Sequence, residues 1–395
     1  MRTMNIAMIG TNFMGRAHSN AWSQVGKFFE PDIAPILKIA CGSDRQRTEA
    51  FATRWGWQEA ATDWRAVVAR PDIDIVDISV PTYLHHEIAV AAARAGKHIF
   101  CEKPMATSLN QACEMRDEAT RSGIVHYLNH NYRRLPAVML AKSLIDQGRI
   151  GRIFHWRGAY QQDWIIDPEF PLTWHLRQEC AGSGPHADLN SHSVDLAHFL
   201  VGPIASVSCL TTTFITERPL PGSGSSTFSA GAVAAEKGKV TVEDASLMQV
   251  EFANGALGSF EATRFATGRK NRNVFEIYGS DGSLTFDLER LNELEFYDQH
   301  TPAHESGFRT ILATDSAHAY VGRWWPPGHT IGYEHTFVHA VADFLAAIAG
   351  AGGIAPDFSD GVHTMAVLEA GLRSAHSGNR IRVEVNEKRM LRATA

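Results

Sequence analysis

Asn5-Ile6-Ala7-Met8-Ile9-Gly10-Thr11-Asn12-Phe13-Met14-Gly15 is the stretch whose reading decides the fold. A short apolar run, sized for one buried strand, ends in glycine, and an alanine-bearing helical pattern follows from Gly15. In that context a glycine turn aims backbone N–H groups, with a helix N-terminus behind them, at a pyrophosphate. The middle glycine of G-x-G-x-x-G is replaced by Asn12, whose Cβ crowds a phosphate, although Asn tolerates left-handed backbone better than most residues. Taken alone, the string fits a dinucleotide turn and an ordinary strand-to-helix turn equally well. Gly10, Asn12, Phe13, Met14 and Gly15 are its candidate cofactor-binding residues.

The strand-then-helix rhythm continues outward from that turn. Leu37 to Cys41, Ile73 to Val80, His98 to Cys101 and Ile124 to Leu128 read as buried strands, with helical stretches such as Thr48 to Trp55 and His86 to Ala95 between them. The alternation predicts an α/β domain over residues 1–130, a doubly wound parallel sheet of the Rossmann type. Beyond about residue 135 a helix over Val138 to Gln147 leads into strand-like segments separated by Asn254-Gly255 and Ser280-Asp281-Gly282, residue types that accept positive φ. Residues 131–395 are therefore expected to form a second α/β domain built on a large, open, mostly antiparallel sheet. The Gly/Ser/Ala-rich segment Pro219 to Gly238 reads as a surface loop or arm with no chemistry assigned.

Composition agrees with two domains and narrows the partners. A chain of 395 residues, 44% hydrophobic, exceeds what one core usually organises. The net charge of -6 is spread without blocks, which argues against nucleic acid. No apolar run approaches the roughly 20 residues of a membrane span, and the N-terminus enters a strand directly, so a cytoplasmic protein with no membrane partner is expected. Cys41, Cys101, Cys113, Cys180 and Cys209 are odd in number and scattered, and read as reduced thiols.

At the end of the second strand, an acid usually accepts hydrogen bonds from the adenosine ribose of NAD. Here Gly42 falls at that position, with Ser43, Arg45 and Arg47 nearby. Without a carboxylate a 2′-phosphate meets no repulsion, and Ser43 with Arg47 can bind one, which leans the reading from NAD toward NADP. Asp44 within reach of the ribose, and the habit of surface arginines to be solvated, keep NAD open. Ser79-Val80-Pro81-Thr82, followed by His85 and His86, lies at the carboxyl end of a central strand, so Pro81, Thr82 and His85 are candidates to flank the cofactor. The plainer reading of the two histidines is exposure at a helix start.

Two segments carry candidate chemistry. In Cys101-Glu102-Lys103-Pro104, a partly desolvated Lys103 at a crevice strand end can hydrogen-bond a substrate hydroxyl and favour its alkoxide-like form. Glu102 offsets that charge and Pro104 fixes the turn, though the tripeptide is also common in loops. In Gly182-Ser183-Gly184-Pro185-His186-Ala187-Asp188-Leu189-Asn190-Ser191-His192, a glycine-rich turn precedes a helical pattern, and Asp188 and His192 are four apart, which places both side chains on one helical face. His192 can take a proton near neutral pH while Asp188 orients it. A helix-start acid and an interior histidine are the structural alternatives. Asp188, His192 and His198 are the polar candidates for a metal, but the usual ligand spacings are missing and hydride transfer needs none, so no metal is expected.

Taken in order, the Gly10 to Gly15 turn with His18, Glu102-Lys103-Pro104, Asn131-Tyr132-Arg133 and Gly182 to His192 resemble the glucose-fructose oxidoreductase/inositol dehydrogenase (Gfo/Idh/MocA) family. The resemblance spans most of the chain. It implies an NAD(P)-dependent oxidoreductase with Lys103, Asp188 and His192 at the catalytic positions, Glu102 and Lys103 beside the cofactor, a C-terminal domain that binds substrate, and association into a homodimer or homotetramer through the open sheet. Phe28-Phe29-Glu30-Pro31, Asn131-Tyr132-Arg133-Arg134, Gln162-Asp163-Trp164 and Glu261-Ala262-Thr263-Arg264 are similar to its branch of anhydrosugar and sugar 3-dehydrogenases. That likeness makes Lys103, Tyr132, Arg133, Asp163, Trp164, Trp174, His175, Arg177, Asp188 and His192 candidates for binding a sugar, anhydrosugar or inositol-like polyol, aromatic faces suiting C–H surfaces and charged groups suiting hydroxyls. Two competing readings remain: a glycoside hydrolase of the same fold that recycles its nicotinamide, and a non-catalytic dinucleotide sensor.

Overall fold

The apolar runs of the N-terminal third form one parallel sheet in the computed structural model, which describes residues 2–222 and 233–385. Its strands are β1 (Arg2–Ile9), β2 (Ile33–Cys41), β3 (Glu59–Ala61), β4 (Ile75–Ile78), β5 (His98–Cys101) and β6 (His126–Leu128). Their order is β3-β2-β1-β4-β5-β6, every pair parallel. Because helices cover both faces, strand residues such as Ile6, Met8, Ile75, Val76, Ile99 and Phe100 are buried without alternation. The order reverses between β1 and β4, and the carboxyl ends of the strands open a crevice at such a point.

Helix α1 (Phe13–Phe28) follows β1, and α2 (Arg45–Trp55) follows β2. The second helix starts three residues before the expected Thr48 because the Asp44 carboxylate caps it, accepting from the Arg47 backbone N–H at 2.8 Å. It stops at Gly56, whose φ of 79° suits a left-handed cap.

The described residues group into two compact units, one of 2–134 and 320–363, the other of 135–319 and 364–385. A single boundary near residue 130 does not foresee the return of residues 320–363. The helix Tyr333–Ile348 explains it, since Phe337, Val338, Val341, Phe344 and Leu345 share one buried core with Met4, Ile6 and Trp22. An apolar helix face declares that it needs a partner, not which partner.

The second unit is built on nine strands: β7 (Ile153–Gln161), β8 (Ile204–Thr212), β11 (Ala245–Phe252), β12 (Leu257–Thr263), β13 (Arg272–Gly279), β14 (Gly282–Asp287), β15 (Glu293–Asp298), β16 (Arg309–Leu312) and β17 (Ile381–Arg382). All neighbours are antiparallel except β7 and β12. Asn254-Gly255 joins β11 to β12 and Ser280-Asp281-Gly282 leads from β13 into β14, as their turn chemistry requires. One sheet face is buried through Trp156, Met248, Val250 and Phe260, while Leu210, Leu247 and Leu257 alternate onto the other and are exposed. Within the segment expected to be a surface loop or arm, β9 (Glu217–Pro221) and β10 (Val233–Lys239) pair antiparallel, so its ends form a ribbon; residues 223–232 lie outside the described residues. All five cysteines are free of disulfides. Among the described residues no helix is long and apolar enough to cross a membrane.

Candidate active site

The glycine turn is fixed from both sides. Gly10 donates its N–H to the Cys41 carbonyl at 2.9 Å, and the Ser79 hydroxyl donates to the Gly10 carbonyl at 3.0 Å. With φ at 114°, Gly10 occupies backbone that a side chain resists, and a Cβ there would sit 2.5 Å from the Ser79 carbonyl oxygen. A Cβ on Gly15 would lie 2.2 Å from the Gly10 carbonyl oxygen. Asn12 is the N-terminal flanking residue of α1 with φ at -86°, so its tolerance of left-handed backbone is not what admits it. Phe13, 39% exposed, stacks on Tyr333 with centroids 6.4 Å apart, and Met14 is half-buried. These features fit a dinucleotide, whose phosphates need backbone N–H groups uncovered by side chains. Replacing Gly15 by Ala should weaken NADH binding at least tenfold, an effect of about 1.4 kcal/mol, read by titration of intrinsic fluorescence.

The end of β2 explains the missing acid. A Cβ on Gly42 would lie 2.5 Å from the Thr48 hydroxyl and 2.7 Å from the Thr11 hydroxyl, so packing excludes a carboxylate. Ser43 is exposed, and the Arg47 side chain is 82% exposed with its Nε 3.7 Å from Asp44. Arg45 donates to the Ala60 carbonyl at 3.2 Å.

Behind the Lys103 turn lies a buried charge network that the sequence did not reveal. His18, on α1, donates to Asp77 Oδ1 at 2.8 Å and to Glu102 Oε1 at 2.9 Å. Trp22 donates to the other Asp77 oxygen at 2.6 Å, Asn129 donates to Glu102 Oε1 at 2.6 Å, and the Lys103 backbone N–H donates to Glu102 Oε2 at 3.1 Å. Burial alone would lower the His18 pKa, but Asp77 and then Glu102 outweigh it and hold the ring up to about 10. Glu102 is 4% exposed, and although burial opposes its charge, bonds and charge from His18, with the Lys103 charge, hold it below the usual carboxylate range. Its oxygens are spent inside the fold, so Glu102 anchors the Lys103 turn rather than presenting a carboxylate to the cofactor.

His85 departs from both readings. At 1% exposure it is not a helix-start surface residue, and its ring nitrogens face the Pro104 and Val80 carbonyl oxygens, each at 2.9 Å. The ring ties the Pro81-Thr82 loop to the Lys103-Pro104 turn and has no nitrogen left for a ligand. Thr82 is buried and Pro81 half-buried in the same loop. Tyr132 and Arg133 are 4% and 3% exposed, with Arg133 Nη2 3.3 Å from Asp360. His130, next to them, is pushed down to about 3 by burial and then by the Arg133 and Lys103 cations.

In the second unit the continuous helix expected through Asp188 and His192 is broken. Pro185–Asp188 forms one short helix and Asn190–Leu200 the next, the chain restarting where the His192 N–H reaches the Leu189 carbonyl. The cause is a fixed entry: Glu243 Oε1 accepts from the Ser183 hydroxyl and the His186 N–H, and Gly184 lies against the Glu243 carbonyl, with 2.0 Å for a Cβ. Leu189 between the two helices nonetheless keeps right-handed helical backbone, at φ -94° and ψ -49°. His192 is 5% exposed, with its ring 5.8 Å from Tyr160 between centroids. Asp188 is paired with Arg264, whose Nη2 lies 2.6 Å from Oδ2. The Arg264 guanidinium lies over Trp164 at 5.1 Å, Trp164 meets His175 edge-on at 5.8 Å, and His175 stacks on Trp174 at 3.7 Å. Arg177 is half-buried beside them in sequence. Asp163 instead accepts from Lys270 at 2.7 Å and from the Gly268 N–H at 3.0 Å, which ties it to the 268–270 segment. Among the described residues no group of three or more His, Cys, Asp or Glu side chains is disposed to hold a metal ion.

A family model described as an oxidoreductase family with an NAD-binding Rossmann fold matches residues 4–130, and one for the GFO/IDH/MocA C-terminal domain matches residues 138–285. The chain belongs to the Gfo/Idh/MocA oxidoreductase family. Levoglucosan dehydrogenase of Pseudarthrobacter phenanthrenivorans is 42% identical to it, over 95% of this chain and 97% of that protein. A solved levoglucosan dehydrogenase in complex with NADH and levoglucosan is 40% identical and superposes with a TM-score of 0.92, covering 97% of this chain and 100% of that one. Inositol 2-dehydrogenase of Rhizobium meliloti is 25% identical over 96% of this chain and 99% of that protein.

For this Gfo/Idh/MocA enzyme, sequence reasoning named the Lys103 turn but missed what holds it, since His18 was noted only as part of a motif. Arg264 was quoted within Glu261-Ala262-Thr263-Arg264 without a role. An arginine directly after an alternating strand, in a chain with an orphan acid at 188, is the one local signal that was there to read.

Proposed function

We propose that this oxidoreductase moves a hydride between NAD and a hydroxyl-bearing carbon of a sugar, anhydrosugar or polyol, with Lys103, Asp188 and His192 as catalytic residues. The observation that carries the reading is the first unit's pair of turns: the Gly10–Gly15 turn, with glycine at both ends where a Cβ would clash, and the anchored Glu102-Lys103 turn leave the same edge of one parallel sheet, after β1 and β5. When bound, the nicotinamide supplies the hydride acceptor or donor. Lys103 hydrogen-bonds the substrate oxygen and favours its negative charge, His192 takes the hydroxyl proton, and Asp188 holds the alignment. Gly10, Asn12, Phe13, Met14 and Gly15, with Pro81 and Thr82, hold the dinucleotide. Trp164, Trp174 and His175 offer stacked rings to a sugar's C–H face, with Tyr132, Arg133 and Arg177 as hydroxyl-binding candidates.

NAD is favoured over NADP on this chain's own residues. Arg45 is engaged with a carbonyl, Arg47 lies near Asp44, and the Asp44 carboxylate would repel a 2′-phosphate. The levoglucosan dehydrogenase solved with NADH supports the same choice. The exposed Leu210, Leu247 and Leu257 face supports self-association as a dimer or tetramer.

Levoglucosan, inositols and common pyranoses offered with NAD or NADP, followed at the reduced-nicotinamide absorbance, test the proposal. Net reduction with at least one sugar is expected, with kcat/KM favouring NAD by about tenfold or more. Release of nitrophenol from a nitrophenyl glycoside without net reduction would replace it by the recycling hydrolase, and NADH binding without turnover by the sensor.

A further inference from the structure

Arg264 directly follows β12 (Leu257–Thr263) and is 1% exposed. Its Nη2 bonds Asp188 at 2.6 Å, while its Nε and Nη1 are buried without a hydrogen-bond partner. A guanidinium stays charged in any protein setting, so a countercharge must be near. Asp244 is the other carboxylate at hand, its backbone carbonyl accepting the Arg264 N–H at 3.3 Å. Burial pushes the Asp244 carboxyl above its ordinary range, and its Oδ2 is already spent on the Phe214 and Ile215 N–H groups at 2.7 and 3.1 Å. Asp188 is thus the bonded counterion of a buried cation, and its side chain remains 28% exposed. The Oδ2 end of that carboxylate is clamped by the guanidinium. The Arg264 guanidinium carbon also lies over the Trp164 ring, 5.1 Å from its centroid, a second contact that helps to hold the cation beside Asp188.

We propose that Arg264 is a positioning residue of the reaction: it sets the orientation of the Asp188 carboxylate and acts on substrate only through it. This rests on the catalytic reading of Asp188 given above. A guanidinium fork fixes both the position and the plane of a carboxylate, which a lysine ammonium does not, so lysine should restore charge without full alignment.

The test is a double-mutant cycle in the full-length protein with levoglucosan and NAD. Asp188→Asn should lower kcat by about a hundredfold. Arg264→Gln should lower kcat by about ten- to a hundredfold while the NADH dissociation constant moves less than about twofold, and Arg264→Lys should recover part of the loss. In the Asp188→Asn background, Arg264→Gln should cost no more than about twofold further. An equal loss in both backgrounds, or an unchanged kcat in Arg264→Gln, overturns the proposal. Normal turnover in Asp188→Asn alone overturns the reading of Asp188 beneath it, a separate failure. Circular dichroism checks each fold, and should Arg264→Gln not fold, Arg264→Lys carries the same comparison.

Discussion

Lys103→Ala should bind NADH nearly as tightly as the parent enzyme and turn over at least about a hundredfold more slowly, a loss of about 2.7 kcal/mol in transition-state stabilisation. The split follows from the architecture. On the proposed reading the Gly10–Gly15 turn meets the phosphates, and Lys103 is not part of that turn. The 101–104 turn is held by backbone and by Glu102, through the Lys103 N–H at 3.1 Å and the His85 ring on the Pro104 carbonyl at 2.9 Å, and neither bond uses the lysine ammonium. Truncating the side chain would therefore remove the cation proposed to act on the substrate oxygen while these backbone anchors remain. Unchanged kcat with a normal NADH titration would remove Lys103 from the mechanism.

The second large effect falls on stability. His18→Ala should destabilise the first unit by about 3–5 kcal/mol, because it strands two buried carboxylates that the imidazolium now separates. Asp77 is 0% exposed and Glu102 4%, so water cannot take over. The pH dependence has a definite sign. A ring held at about 10 in the folded protein, against about 6.5 unfolded, binds more protons when folded. Its stabilisation is complete below about pH 6.5 and is lost as pH rises toward 10. Glu102, held below its ordinary range, contributes in the opposite window and loses its share only in acid. Thermal melts from pH 7 to 9.5 should thus show a falling midpoint in the parent enzyme and a flatter profile in His18→Asn. A variant that melts like the parent at pH 7 would mean that the network is not electrostatically loaded.

How much of this was legible follows from the range of each interaction. The parallel sheet and the two turns were readable because strand periodicity, glycine and proline act on neighbours, and the Asn254-Gly255 hairpin lies where its residues require. Long-range pairs were not. Asp77 lies 59 residues from His18, and Lys270 lies 107 from Asp163, so nothing local distinguished an anchored carboxylate from one awaiting a sugar. The break at Leu189 escaped for the same reason, since Glu243, far along the chain, fixes the entry that interrupts the helix.

The helix Tyr333–Ile348 bears on how this molecule can be dissected. Cut after position 134, the nucleotide-binding half would carry Met4, Ile6 and Trp22 without Phe337, Val341 and Phe344 to cover them. Such a fragment should light up a hydrophobic dye and precipitate. Anyone grafting this module onto another scaffold must transplant two separated pieces of polypeptide.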